Sequence, residues 1–169
     1  INNRSRGFYD HNGDNFSELP ILQNTSFGLK SFFIPKYNHK IEFSLSNINE
    51  YRFGGEMNRE EQAHLTAQSE ERQHHVWMGG LDYQIDLKNK QTSLITYLAF
   101  QKTDRDHYTG IYPDDSIEII SHIENPPYGI STVSTLNAGI QLNHELLNFI
   151  STGSNVLTLG SEVLFDEVY

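Results

Sequence analysis

The sequence predicts an all-β fold, an antiparallel up-and-down meander of about six long strands. Three observations predict it. Apolar and polar residues alternate along most of the chain with the period of two that a half-buried strand requires. The clearest alternating segments run to about 14 residues, where strands in soluble domains usually have about 5–6. The connections alternate short, long, short, long, short, which puts the tight turns at one end of the sheet and the long loops at the other.

Residues 1–20 are rich in Asn, Asp, Gly and Ser and read as a loop. Within it, Asp10, Asn12 and Asp14 have the alternate spacing of the first ligands of a calcium loop. The sixth position is Asn15 instead of Gly and the twelfth is Ile21 instead of Glu, so an ordinary polar loop is the better reading. The first strand is expected over 24–34, with Phe27, Leu29 and Phe33 on one face and Ser26, Gly28 and Lys30 on the other. Phe32 and Ile34 break its pattern. A turn at 35–39 follows from Pro35, which has no N–H for a ladder. The second strand, 40–53, carries Ile41, Phe43, Leu45, Tyr51 and Phe53 opposite Glu42, Ser44, Ser46, Glu50 and Arg52. Pairing Phe33 with Ile41 and Leu29 with Leu45 makes the two apolar faces coincide.

Residues 54–68 form a long polar segment with the composition of a short helix and no apolar stripe to hold one. The hairpin 74–105 is the clearest unit of the chain. Its first arm places Trp77, Gly79, Leu81, Tyr83, Ile85 and Leu87 on odd positions. Its second arm places Leu94, Thr96, Leu98 and Phe100 on even ones. A four-residue polar turn, 88–91, pairs Leu87 with Thr92, so odd residues face even ones and both apolar sets fall on one side. The same register sets His74 opposite Arg105 and Gly80 opposite Ala99. Residues 106–130 read as a second long loop. The fifth strand, 131–146, sets Leu136, Ala138, Ile140 and Leu142 against Asn137, Gly139, Gln141 and Asn143. After a connection at 147–154, the sixth, 155–166, sets Leu157, Leu159, Val163 and Phe165 against Thr158, Gly160, Glu162 and Asp166. No internal repeat is present, which argues against a propeller or solenoid.

Long hairpins with one apolar face suggest strands that cross a membrane. Leu81, Tyr83, Leu98, Phe100, Ile140 and Leu159 would then face lipid, and Asp82, Tyr97, Asn137 and Glu162 a lumen. Trp77, near the outer end of its arm, suits an aromatic girdle. The chain of 169 residues contains 22 Asp plus Glu against 12 Lys plus Arg, a net charge of −10, which argues against nucleic acid as a partner. It has no run of 18 apolar residues and no cysteine, so a helical span, a disulfide framework and a thiolate site are excluded. It opens at Ile1 with no secretory signal, the expectation for an internal piece of a longer polypeptide.

Asp104, Arg105, Asp106 and His107, with His74 opposite, invite an acid–base or metal reading, but no nucleophile with an oriented base accompanies them. His74 and His75 are adjacent on a strand, point to opposite faces and cannot chelate one ion together. Neither catalytic residues nor a cofactor are expected.

Four stretches carry a family resemblance: FGLKSFFIPKYNHKIEFSLSNINEYRFGGE, HLTAQSEERQHHVWMGGLDY, YLAFQKTDRDHYTG and NPPYGISTVSTLNAGIQL. In order and spacing they resemble the barrel domain of TonB-dependent outer-membrane receptors, especially the vitamin B12- and siderophore-receptor-like group. The resemblance implies part of a transmembrane barrel of about 22 strands. It implies residence in the Gram-negative outer membrane, with outer-membrane lipid, the TonB complex and a small-molecule cargo (siderophore, corrinoid or glycan) as partners. The plug domain, the segment gripped by TonB and the strands that close the barrel lie outside the stretch that resembles the family. Six strands could not close alone, since about eight is the minimum. Cargo recognition would fall on the long loops and outer strand ends, with Arg52, Arg105, Tyr108 and Tyr112 as candidates. Most of the polar face would hydrogen-bond a plug, for which Gly80 and Ala99 leave room. Two alternatives remain: a soluble β-sandwich that binds carbohydrate or protein, and a simple outer-membrane pore or barrel enzyme.

Overall fold

Alternation with period two fixes which side chains share a face, but a strand forms only where a neighbour satisfies its N–H and C=O groups. In the computed structural model, which describes residues 1–57, 62–87, 90–147, 149 and 152–169, seven strands do this for one another. They are β1 (Asn2–Arg6), β2 (Phe16–Phe33), β3 (His39–Glu56), β4 (Gln68–Leu87), β5 (Thr92–Ile111), β6 (Gly129–Leu147) and β7 (Ser154–Val168). They make a single open sheet in the order β1 to β7, every pair antiparallel and every neighbour consecutive in sequence. A 3₁₀ turn at Ala63–Leu65 lies between β3 and β4, and helix α1 (Ser116–Glu124) lies between β5 and β6.

The register agrees with the phase argument wherever the two overlap. Leu87 pairs with Thr92, His74 with Arg105, Gly80 with Ala99, Phe33 with Ile41 and Leu29 with Leu45. The connections also alternate as expected, with 34–38, 88–91 and 148–153 at one end of the sheet and 57–67 and 112–128 at the other. Residues 88 and 89 of one turn and 148, 150 and 151 of another lie outside the described residues.

Four expectations are corrected. The sheet has seven strands, because β1 lies inside the segment read as a loop and pairs with β2 from Asn2↔Ser26 to Arg6↔Leu22. Polar strands such as NNRSR show no alternation, since neither of their faces is apolar. β2 starts at Phe16 instead of residue 24, passing through a register shift between Ser17 and Ile21, where Pro20 supplies no N–H. β4 and β5 extend beyond the expected hairpin to Gln68 and Ile111, so Trp77 lies well inside β4. The segment read as a loop at 106–130 contains α1. Asp115 caps that helix by accepting from the N–H groups of Ile117 (2.8 Å) and Glu118 (3.4 Å). Asp followed three residues later by Glu is a helix-start signal that the sequence did carry.

At the loop end of β3, Gly55 has φ +102°, and a Cβ there would lie 2.3 Å from the carbonyl oxygen of Gln68. Only glycine combines that backbone with so close a neighbour.

The two ends of the sheet are staggered in one sense. At the tight-turn end, β4 runs to Leu87 beyond Ile85, its last residue paired with β3 (to His39), and β6 runs to Leu147 beyond His144, its last residue paired with β5 (to Thr92). At the loop end, β5 runs to Ile111 past His107, its last residue paired with β6 (to Gly129), and β6 starts at Gly129 while its strand pairing with β7 begins at Val133. The offset has the same sense at both ends, so successive strands step along the sheet.

The buried residues do not line the middle of the sheet. They include Ile21, Leu22, Phe53, Ala63 and Tyr108, with His64, Thr66, Ser69 and Thr103, and nearly all sit at the loop end.

Candidate functional site

Register carries each face across the sheet row by row. One face holds the apolar set. Leu29, Leu45, Gly79, Phe100, Leu136 and Phe165 form a single cross-strand row, and Phe43, Leu81, Leu98, Ala138 and Val163 form the next. Ile85, Leu94, Leu142 and Leu159 form another, nearer the tight turns. None of these rows is covered: Leu81 is 47% exposed, Phe100 44%, Leu142 39% and Leu159 70%. From Trp77 to Leu87 the band measures roughly 34 Å along the strand at about 3.4 Å per residue. A tilt of about 40° projects this to about 25 Å, the height of the apolar band of a membrane barrel. Above Trp77 the same face turns polar at once, with Asn49, His75, Asp104 and Thr132 in one row. His75 Nδ1 is 2.7 Å from Asn49 Oδ1, and the Thr132 hydroxyl donates to Asp104 at 2.8 Å.

The opposite face is a hydrogen-bonded polar wall. Tyr97 crosses over Gly139, whose missing side chain leaves room for the ring, and donates to Glu162 at 2.7 Å. The Asn143 amide donates to Ser93 at 3.2 Å and accepts from Thr158 at 2.9 Å, a ladder across three strands. Glu42 pairs with Lys30 at 2.9 Å and also with Lys40. Ser44, Gly80, Ala99 and Asn137 make a row of small residues across four strands. They help to line a depression of about 420 Å³. The buried Oδ1 of Asn137 has no hydrogen-bond partner among the described residues. The two sets expected to face lipid and lumen thus lie on opposite faces, with Asp82, Tyr97, Asn137 and Glu162 all on the polar one.

At the loop end, rings replace aliphatic packing. Tyr108, with no exposed surface, packs against Phe53 and Ala63. Its ring centroid lies 5.2 Å from that of Tyr128 and 6.1 Å from that of His122. His122 Nε2 reaches the His64 carbonyl at 2.8 Å, and His64 Nδ1 lies 3.2 Å from the Tyr128 hydroxyl. The segments 57–67 and 112–128 are tied to each other through these contacts. Burial, with the nearby His122 adding to it, holds the pKa of His64 below its usual 6.5. The Tyr128 phenol is pushed above its usual range, first by burial and then by Glu71.

The four residues considered for cargo separate into two places. Arg52 and Arg105 lie on the polar face in adjacent rows near the loop end. Tyr108 lies on the other face inside the aromatic cluster, and Tyr112 joins that cluster through His122, with centroids 5.8 Å apart. The run 104–107 is divided by the same alternation, Asp104 and Asp106 on one face and Arg105 and His107 on the other. The oxygens of Asp10, Asn12 and Asp14 are engaged in their own turn. Asp10 accepts from Gly13 N–H (2.6 Å) and Asn15 N–H (3.0 Å), Asn12 from Asp14 N–H (3.1 Å), and Asp14 from Phe16 N–H (2.9 Å). The Gly13 bond is the main reason the Asp10 carboxyl titrates below its ordinary range. Among the described residues, no three His, Cys, Asp or Glu side chains converge as a metal site would require.

Sequence reasoning missed the polar-face role of β1. Its Arg4 and Arg6 continue the rows of Arg105 and Arg52, a placement that becomes visible only when β1 is paired. Comparison with family models, with curated proteins and with solved structures found no match to this chain.

Proposed function

We propose that the chain forms part of the wall of a transmembrane β-barrel, in an outer-membrane transporter of the TonB-dependent kind that imports a scarce nutrient such as a siderophore, corrinoid or glycan. The observation that carries the reading is the uncovered apolar band, about 25 Å tall when tilted, backed strand for strand by a hydrogen-bonded polar face. In water, apolar surface on this scale across six strands is far more than a soluble monomer exposes. A second sheet packed on it would make a sandwich, but among the described residues nothing lies on the band. The constant stagger supports closure around a tilted barrel. The long strands, the tight turns at one end and the long connections at the other match the turn-and-loop asymmetry of outer-membrane barrels. The choice of an energised receptor over a passive pore rests on the four stretches that resemble the receptor family.

The chain has no native cysteine, so single cysteines at positions 78–83 and 96–101 report without background. In the full-length receptor in membranes, a lipid-soluble reagent should label Leu81→Cys and Tyr83→Cys but not Asp82→Cys. On the paired strand the phase should reverse, with Leu98→Cys and Phe100→Cys labelled and Tyr97→Cys spared. Equal labelling of both faces by a water-soluble reagent would remove the membrane reading. Cargo uptake that persists after the proton gradient is collapsed would replace the receptor by a pore.

A further inference from the structure

The chain's net charge is −10, yet the arginines among the described residues are gathered in one place. Two adjacent cross-strand rows on the polar face run Arg4, Asn24, Glu50, His74, Arg105, Ser131 and Arg6, Leu22, Arg52, Arg72, His107, Gly129. Every arginine among the described residues lies in these two rows, spread over β1, β3, β4 and β5. Arg52 and Arg72 are direct cross-strand partners, an arrangement of like charges that destabilises a sheet by itself. The carboxylates within reach are few. Glu50 takes Arg52 at 2.7 Å, and Glu70 takes Arg72 from one row above. Arg6 donates to the carbonyl of Pro20 at 3.1 and 3.0 Å, which leaves its charge uncompensated. Arg4 and Arg105 have no carboxylate partner among the described residues, because Asp104 and Asp106 point from the other face. Arg52 and Arg72 also line a depression of about 670 Å³ at the loop ends of β2, β3, β4 and β5. Glu18 and Glu70 share that depression; Glu18 is engaged by the His11 N–H at 2.8 Å and Glu70 by Arg72.

From this we infer that the loop end of the polar face is a binding site for a small multivalent oxyanion, a ligand bearing two or more carboxylate or phosphate groups. Guanidinium forks bind such groups bidentately, and a sheet holds several forks at fixed spacing. Neighbouring strands lie about 4.8 Å apart and adjacent rows about 6.8 Å, so Arg52 and Arg105, two strands and one row apart, are separated by roughly 12 Å along the sheet. That span suits one ligand with separated anionic groups better than one isolated ion. The inference depends on the barrel reading for where the ligand comes from, the outer mouth of the lumen. The site itself depends only on the register.

The test uses the full-length receptor in detergent micelles at low ionic strength, with citrate and pyrophosphate as probes. Calorimetry should show saturable binding that weakens as salt rises. Arg105→Gln and Arg52→Gln should each weaken it about tenfold, the usual worth of a charge-assisted hydrogen bond. Lys30→Gln, which removes a cation lower on the same face, should change it less than about twofold by the same reasoning. A measurement on the unaltered protein avoids any folding defect: bound anion should slow phenylglyoxal modification of Arg52, Arg72 and Arg105. Absence of saturable binding and of protection, or equal weakening by Lys30→Gln, overturns the site. Response to both anions points to generic oxyanion chemistry, and response to one assigns carboxylate or phosphate. Cysteine labelling at positions 81 and 82 keeps the two readings apart. If labelling alternates and no anion binds, the barrel stands and this site falls. If anions bind and labelling is uniform, the site stands and the barrel falls.

Discussion

Leu81 and Tyr108 lie on the same face of the sheet, on neighbouring strands, and their surroundings could hardly differ more. Leu81 is 47% exposed with apolar neighbours only beside it in the sheet, whereas Tyr108 is fully enclosed by Phe53, Ala63, His64, His122 and Tyr128. The middle of the sheet has apolar side chains without a core, and the loop end has a core built from rings. The difference teaches where each region gets its stability. The loop end obtains it from burial within the chain, by the ordinary rules of packing. Around Leu81 no such burial occurs among the described residues, and in the proposed barrel lipid would take its place.

Four experiments break or sharpen that contrast. Tyr108→Ala should have the largest effect, roughly 3–5 kcal/mol, because it empties a filled aromatic site. Hydrogen exchange should show the loss confined to the loop end, at β3, β5 and the segment 112–128, with the band unaffected. Exchange that rises equally along the whole sheet would mean the two regions are one cooperative unit.

Arginine substitution comes next. If the sheet is the proposed barrel wall, Leu81→Arg should cost roughly 2–4 kcal/mol of stability near mid-membrane, and Asp82→Arg, on the polar face, much less. Heat-resistant migration of the folded receptor on gels measures both, and equal losses would contradict the two-faced reading.

Asp115→Ala removes the acceptor of the Ile117 and Glu118 N–H groups and should lower the stability of α1 by about 1 kcal/mol. Because α1 buries none of its own residues and is held by His122, limited proteolysis should detect the change in 112–128 while the sheet stays intact.

The smallest effect concerns pH. The pKa of His64 is depressed in the folded state, so between that value and 6.5 the unfolded loop binds more protons than the folded one. Its stabilising contribution is present above about 6.5 and is lost as the pH falls through that window. Proteolysis of 112–128 should therefore quicken from about pH 7.5 to about pH 5, and His64→Gln should flatten the dependence. A profile that quickens toward high pH would reverse the assignment.

Much of this arrangement is legible in the residues alone. Phase alternation and one short turn are enough to pair Leu87 with Thr92, and every further pair of that hairpin follows by counting, because side chains alternate and ladders do not skip. The same alternation places Asp82, Tyr97, Asn137 and Glu162 on one face from the residues alone. Residues such as Asn2–Arg6 are different. With both faces polar they have no phase to read, and they become a strand only because β2 presents an open edge to them. The arginine rows follow from that pairing, since Arg4 and Arg6 are neighbours of Arg105 and Arg52 in space alone. The aromatic cluster is likewise a product of tertiary folding. His64, Tyr108, His122 and Tyr128 are scattered over three segments, and they meet where two long connections fold back onto the sheet. Local periodicity determines which way a side chain points, while contacts between distant segments depend on loop paths that no local pattern encodes.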